Sequence, residues 1–575
     1  MESKWMLYTK RADFEKISAR FHISPVLARI IINRDIKEED FLLYLKSDLS
    51  LMHDAGRLYG VEDAYNEIMS EIKKGNKIRV VGDYDIDGVC SSYILVKSLR
   101  RFGADADVRI PDRIKDGYGI NDNIINEAAN DKISMIITCD NGIAAHSQME
   151  LAKKLGIKVI ITDHHEVYQE DGKDYLPVAD VVINPKRSEC KYPFKSICGA
   201  LVAYKLMEYM YERLYGKKMY EDGELSDLLE VAAIATIGDV MPLVDENRVL
   251  VKHGLKSLMN TKNLGLRALI KATGMEGKKI SAYSIGFVIG PCLNAGGRLE
   301  NALVALNMFM SESSDEANEY AMHLKELNDE RKDLTAMNVK VAVELAEREY
   351  ADDDILVIYL ENCHESIAGI IAGRVREALG KPTIILTDAF GEDGMIKGSG
   401  RSIESYNMFE ALYEVKDIFE KFGGHHMAAG MSLKKDRLDE FRKRLNENSK
   451  LTKEDFIQKI WIDVPLPFSY ISHDFVRELE KLEPYGNKNE KPKFARKGIK
   501  ILSKSILGKN KNVVKMVLED DGTRLDGIYF CDGEAFFEEL KGNNEIDIIY
   551  YPDINEYGGR ESLQVIITGY KIKNI

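Results

Sequence analysis

From residue 77 to residue 183 the chain repeats one pattern, a short β-branched run, a polar turn, then residues at helical spacing. The runs are Ile78-Arg-Val-Val81, Asp107-Val-Arg-Ile110, Ser134-Met-Ile-Ile-Thr-Cys139, Lys158-Val-Ile-Ile-Thr162 and Ala179-Asp-Val-Val-Ile183. Between and after them, Gly88 to Leu99, Asn121 to Ala129, Ala144 to Leu155, Gly199 to Tyr215 and Leu225 to Ile237 place apolar residues three and four apart. Strands alternating with helices return through right-handed crossovers, so residues 61–250 are expected to form an α/β domain on a mainly parallel sheet. Such a sheet delivers the turn after every strand to one edge, where ligands bind.

Those turns are acidic. The first reads Gly82-Asp83-Tyr-Asp85-Ile-Asp87-Gly88, the second Cys139-Asp140-Asn141-Gly142, the third Thr162-Asp163-His164-His165-Glu166, and the later helix ends Ile237-Gly238-Asp239. Carboxylates gathered at one edge repel one another unless a cation collects them. Oxygen and imidazole donors suit Mn²⁺ or Mg²⁺ better than thiophilic metals. The first turn also matches the opening of a calcium-binding loop, but the twelfth position, which needs a bidentate Glu, is Ile94, and a strand stands where a helix should precede. Asp85-Ile-Asp87-Gly-Val89 further resembles the nucleophile motif of haloacid-dehalogenase phosphatases, a reading with no place for Asp163-His164-His165.

The remaining chain reads as four further segments. Residues 1–60 form a helical lead-in, in which Ser24-Pro25 is an N-cap followed by Pro at N1, and they are expected to pack on the next domain. Residues 251–350 are a helical connector, interrupted by Gly286-Phe-Val-Ile-Gly290-Pro-Cys-Leu-Asn294-Ala-Gly-Gly-Arg298-Leu and ending in a long helix, Ser311 to Tyr350. Residues 351–450 form a second, smaller α/β domain with three glycine-rich turns, around His364, around Ser399-Gly-Arg401 and around His425. Glycine lets backbone approach a ligand, and an Arg beside serines can hold a phosphate through paired hydrogen bonds. Residues 455–575 carry five β-rich runs with glycine turns, the pattern of an OB-fold barrel.

Charge singles out that barrel. The formal net charge is −14, yet Lys488 to Lys515 hold ten Lys or Arg against one acid, Glu490. A basic barrel face suits a single-stranded nucleic-acid backbone, with Lys491, Lys493, Arg496 and Lys497 as contacts and Phe494, Tyr529 or Phe530 as stacking surfaces. With 45% hydrophobic and 30% charged residues and no apolar run near the ~20 residues of a membrane helix, the sequence reads as globular and free of membrane spans. The start, Met1-Glu-Ser-Lys-Trp-Met, has no signal-peptide core, which points to the cytoplasm. Seven scattered cysteines without a C-x-x-C pair are expected to be reduced packing residues.

Together, Asp83-Tyr-Asp85-Ile-Asp87-Gly88, Cys139-Asp140-Asn-Gly, Asp163-His164-His165 and Gly238-Asp239 resemble the four motifs of the DHH phosphoesterase superfamily. With the second domain and barrel, and with Leu293-Asn-Ala-Gly-Gly-Arg298-Leu and Glu483-Pro-Tyr-Gly-Asn-Lys-Asn-Glu-Lys-Pro, the chain resembles the RecJ family of single-strand-specific 5′→3′ DNA exonucleases. That resemblance implies hydrolysis of phosphodiesters with two ions, Mn²⁺ or Mg²⁺. Asp85 would hold one, Asp87, His164 and Asp239 the other, and Asp140 would bridge. His165 would contact the phosphoryl group or protonate the departing 3′ oxygen. Arg298, His364, Ser399, Arg401 and His425 would grip substrate phosphates. Many DHH phosphatases carry a His where Val81 stands here, so Asp83 or water would complete the first ion's shell. A monomer is the default, and because the substrate must be unwound, a single-strand-binding protein and a helicase are candidate partners. Two other readings stay open: a phosphodiesterase for short oligonucleotides or cyclic dinucleotides, and a non-catalytic replication scaffold.

Overall fold

The computed structural model describes residues 3–572, so the outermost two and three residues of the predicted terminal segments lie outside it. The chain divides into two units, residues 53–241 with 253–458, and residues 3–52 with 242–252 and those from 459 onward.

The first unit opens with strands β1 (Lys77–Val81), β2 (Asp105–Arg109), β3 (Met135–Cys139), β4 (Lys158–Thr162) and β5 (Val181–Ile183), ordered β2-β1-β3-β4-β5. All four pairings are parallel. Helices cover the sheet, so β3 is buried along its whole length and needs an unbroken apolar run. Three helices position the site: α1 (Ile86–Arg101), α2 (Gly199–Tyr215) and α3 (Asp227–Gly238).

The expected interruption near residue 286 is absent. The chain runs through a π-helical turn, Ile285–Ile289, into α4 (Gly290–Leu299). Glycine lowers helix propensity, but a side chain at Gly297 would overlap the Tyr84 carbonyl and one at Gly296 would come 2.8 Å from the Asn301 carbonyl. Close approach outweighs propensity here. Helix α5 (Ser314–Glu349) then runs for 36 residues, capped by Ser313.

The second α/β sheet has the order β9-β10-β8-β7-β6, from strands β6 (Leu356–Tyr359), β7 (Thr383–Asp388), β8 (Met395–Arg401), β9 (Phe419–His425) and β10 (Ala428–Lys434). Its glycines do not form three turns, as the sequence suggested. Gly369 and Gly373 lie on helix α6 (Ala368–Leu379), Gly398 and Gly400 on β8, and the run from Gly423 to Gly430 makes the β9–β10 hairpin. A side chain at Gly400 would press on Met408 at 3.1 Å, so tight packing of the sheet selects glycine there.

The second unit contains the barrel: β11 (Phe494–Leu507), β12 (Val513–Asp520), β13 (Thr523–Phe530), β14 (Glu545–Tyr557) and β15 (Arg560–Ile572). The order β11-β12-β13-β15-β14 closes through β11–β14 pairing, which leaves no open edge among these five strands. The lead-in differs from its expected packing. Leu27, Ile30, Ile31 and Phe41 share one buried core with Val514, Ile548 and Val565 of the barrel. Arg248, fully buried, ties three segments together by donating to the carbonyls of Tyr44 (2.8 Å), Leu482 (2.9 Å) and Lys481 (2.9 Å). No described helix is long and apolar enough to cross a membrane, and all seven cysteines are unpaired.

Candidate metal centre

Register in the parallel sheet decides which side chains meet. Cys139 pairs with Thr162, so the next residues, Asp140 and Asp163, emerge side by side at the carboxyl edge. The Asp140 amide donates to the Thr162 carbonyl at 3.0 Å, and the Asp163 amide to the Ile183 carbonyl at 3.0 Å. Asp140 adopts φ 60°, a left-handed conformation costly for a side chain other than glycine, Asn or Asp. At β1 the turn folds back on itself, and any side chain at Gly88 would overlap the Asp83 backbone.

The predicted ligands converge. Asp83, Asp85 and Asp140 offer oxygens within 4.8 Å of one another, and so do Asp87, His164 and Asp239 with their donor atoms. His164 Nε2 lies 3.1 Å from Asp140 Oδ1, 3.5 Å from Asp87 Oδ2 and 3.7 Å from Asp239 Oδ2. Asp140 Oδ1 and Asp239 Oδ2 are buried without a hydrogen-bond partner. Such atoms are costly to leave unsatisfied, and a divalent cation answers the cost at both. Asp85 is at once the N-cap of α1, its Oδ1 accepting from the amides of Asp87 and Gly88. Asp83, the uncertain neighbour in the sequence, is buried within the first triad.

Electrostatics agrees with the geometry. Burial, then the charges of neighbouring carboxylates, push Asp83 and Asp239 up to about 8 and raise Asp140 as well. Burial also raises Asp87, against the pull of His164. Burial lowers His164, which favours the neutral imidazole that a metal needs. His165 differs. Burial opposes its charge, but the Asp163 carboxylate, 2.7 Å from its Nδ1, raises it to about 9.

Several supporting groups were not read from the sequence. The amides of Gly199 and Ala200, at the start of α2, donate to Asp87 at 2.6 and 2.8 Å. The signal was there, since a helix that opens with small residues offers amides to an anion. Asn294 on α4 accepts from the Ile86 amide at 2.9 Å. Tyr118 donates its hydroxyl to the Asp140 carbonyl at 2.8 Å and stands 3.3 Å from His165 Nε2. Asp163 accepts from the amides of Ile143, His164 and His165, which makes it the scaffold of the third turn.

The predicted phosphate contacts form a second group in the same unit. Arg298 donates to the Ser366 carbonyl at 2.7 Å, while His364 Nδ1 lies 2.7 Å from the Ser366 hydroxyl. Arg401 donates to the Ser399 hydroxyl at 2.8 Å, and a side chain added at Gly369 would come within 3.0 Å of both residues. Ser399 and Arg401 therefore face the first turn of α6. Burial, then Arg113 and Arg331, lower Arg298 to about 10. His425 lies apart, exposed on the rim of the hairpin, two strands across from Arg401 through Ala428.

In the second unit the basic stretch is less uniform than its composition. Arg496 is held by Asp520 (2.8 Å) and Asp521 (2.7 Å), Lys493 lies 3.4 Å from Glu490, and the Lys491 ammonium sits 3.5 Å over the Tyr551 ring. Lys497 is exposed. Phe494 cannot stack on a base, because strand alternation turns it into the core, fully buried. Tyr529 packs against Phe536 and Tyr570, and Phe530 stays 66% exposed.

Comparison with known proteins follows this division. Residues 77–236 match the DHH family N-terminal domain, 352–450 the DHHA1 domain and 462–569 the RecJ OB domain. The single-stranded-DNA-specific exonuclease RecJ of Bacillus subtilis is 36% identical over 574 residues, spanning 99% of this chain and 71% of that protein. Its Escherichia coli counterpart is 32% identical over 95% of both chains. The chain belongs to the RecJ family. The solved RecJ of Thermus thermophilus in complex with Mn²⁺ covers all of this chain and 80% of its own, at 25% identity and a TM-score of 0.84. That solved RecJ carries Mn²⁺, an ion whose chemistry suits carboxylate and imidazole donors such as those gathered here.

Proposed function

We propose that this RecJ-family chain is a single-strand-specific exonuclease that hydrolyses DNA phosphodiesters from the 5′ end and releases 5′-mononucleotides, in DNA repair and recombination. The observation that carries the reading is the pair of donor triads at one sheet edge, with two buried carboxylate oxygens left unsatisfied. Asp83, Asp85 and Asp140 would hold one Mn²⁺ or Mg²⁺, and Asp87, His164 and Asp239 the other, with Asp140 beside both. Bound there, the ions would acidify a water and offset charge on the leaving oxygen.

The chain's own groups do the rest. Gly199 and Ala200 fix Asp87 through its two oxygens, so the ligand cannot rotate away. His165, kept protonated by Asp163, holds a proton at the imidazole for the departing 3′ oxygen. Arg298, His364, Ser399 and Arg401 bind the terminal phosphate and so set which bond lies at the triads, a positioning role. Lys491, Lys493 and Lys497 attract the phosphates of single-stranded DNA to the barrel. The 5′ polarity rests on the family resemblance alone; cooperation with a single-strand-binding protein and a helicase follows from the need to unwind the substrate, and a cytoplasmic location belongs to the same reading.

Single-stranded DNA labelled at either end, incubated with Mn²⁺, Mg²⁺ or chelator, tests the reading. Metal-dependent release of 5′-mononucleotides from the 5′ end is expected. Release from the 3′ end, or activity that survives chelation, would overturn it.

A further inference from the structure

One motif flagged by the sequence remains unexplained, the Gly286 to Gly290 run. It forms a π-helical turn, a rare geometry that recurs at functional sites. Its inner residues Ile285 and Ile289 are fully buried. On its outer side Tyr283 and Phe287 stack on each other, with centroids 4.7 Å apart and planes 26° from parallel. They are 67% and 60% exposed. Burying both rings would remove a large apolar area from water, and the turn keeps them out.

The turn is also built onto the metal loop. Ile86, between Asp85 and Asp87, fills the space that side chains at Gly238 and Gly290 would need, approaching these positions to 2.7 and 3.3 Å. Gly238 precedes Asp239, and Gly286 packs over Ile237. One end of the π-helical segment therefore touches the residue that separates two ligands, and its outer face carries the aromatic pair. The aromatic pair thus stands on the segment that packs against the loop carrying Asp85 and Asp87 and against the end of the helix that leads to Asp239.

We propose that Tyr283 and Phe287 form a stacking platform for a nucleobase of single-stranded DNA beside the scissile phosphate, an inference that rests on the exonuclease reading. Every base has an apolar face, so the platform would bind without regard to sequence. It would also disfavour duplex, whose bases already stack on one another.

The test measures binding of fluorescent single-stranded DNA in chelator, by anisotropy, for wild type and Tyr283→Ala/Phe287→Ala. A single abasic site is moved along the strand. The double variant should bind intact DNA about 5- to 100-fold more weakly, the range that one base–aromatic stack supplies. An abasic site at one position should weaken wild type and leave the variant unaffected. Tyr283→Phe/Phe287→Tyr should restore the wild-type pattern, and hydrolysis of p-nitrophenyl thymidine 5′-phosphate, too short to span both sites, should stay within about twofold of wild type. If the double variant binds like wild type, or the abasic penalty persists in it, the platform is overturned while the exonuclease stands. Loss of the short-substrate activity together with DNA binding would mean that the turn is merely structural. A wild-type protein that neither binds nor cuts single-stranded DNA would overturn both readings.

Discussion

His165 Nδ1 lies 2.7 Å from Asp163 Oδ1, and this contact keeps the imidazole protonated against its own burial. A group that must give up a proton loses function as pH rises through its pKa, here about 9. In Asp163→Asn the carboxylate is gone, so His165 should fall to the ordinary ~6.5 or below and the alkaline limb of the pH–rate profile should shift down by at least about 2.5 units. An unmoved limb would remove His165 as the acid.

Asp83 and Asp239 titrate near 8 in the absence of metal, far above an ordinary carboxylate. Between about pH 4 and pH 8 the folded state therefore binds more protons than the unfolded one, and stability must fall as pH rises across that window. In chelator, the melting temperature should drop from pH 5.5 to pH 8. Asp140→Asn should melt higher than wild type at pH 8, gain nothing from Mn²⁺ and lose at least about 10³-fold in activity. Differential scanning calorimetry with and without Mn²⁺ checks this.

A methyl group at Gly199 would come 2.8 Å from the Asp140 side chain, at the helix start that also clamps Asp87. Gly199→Ala should lower Mn²⁺ affinity by about 10- to 100-fold, the usual effect of disturbing groups behind a ligand. Titration of Mn²⁺ followed by its electron-spin resonance gives the value.

Replacing Lys491, Lys493 and Lys497 together should weaken DNA binding and flatten its dependence on salt, since every phosphate that these ammonium groups neutralise sheds a counterion on binding. Arg496→Ala should behave otherwise. Its guanidinium is already paired with Asp520 and Asp521, so it should cost barrel stability with little change in slope. A salt slope unchanged in the triple variant would assign these lysines to solvation alone.

Arg248→Met should take a donor from three carbonyls; those of Tyr44 and Leu482 keep Ser47 and Asn489 as donors, so the main loss is at Lys481, at ~1–3 kcal/mol. The only two tryptophans, Trp5 and Trp461, both lie in the second unit, so urea unfolding by fluorescence reports on it directly. A shift in midpoint is expected, with Mn²⁺ binding unaffected.

The proposed metal ligands were legible because they sit at the ends of β-branched runs, and parallel strands leave such residues one place to go. Asp85, Asp87, Asp140 and His164 needed only that rule. The small residues Gly199 and Ala200 mark a helix start that can offer amides to an anion, but that the anion is Asp87 could be seen only in space. The same holds for Tyr118, whose approach to His165 depends on a loop 47 positions upstream. Glycines misled in the other direction. Those around Arg298 and Arg401 suggested turns, yet they serve helices and strands that press against other backbone. Phe494 was misplaced because composition marks a strand as basic without saying which face each residue takes.

Residues 3–52 and the barrel that begins near residue 494 complete one hydrophobic core, with roughly 400 residues of another unit between them. During synthesis at about 5–20 residues per second, the apolar face of Leu27, Ile31 and Phe41 must wait on the order of a minute for its partners to leave the ribosome. The intervening unit can fold in that interval. Residues 3–52 are thus among the last to find their place, and a chaperone that shields them would act long before the barrel is made and let go only after it.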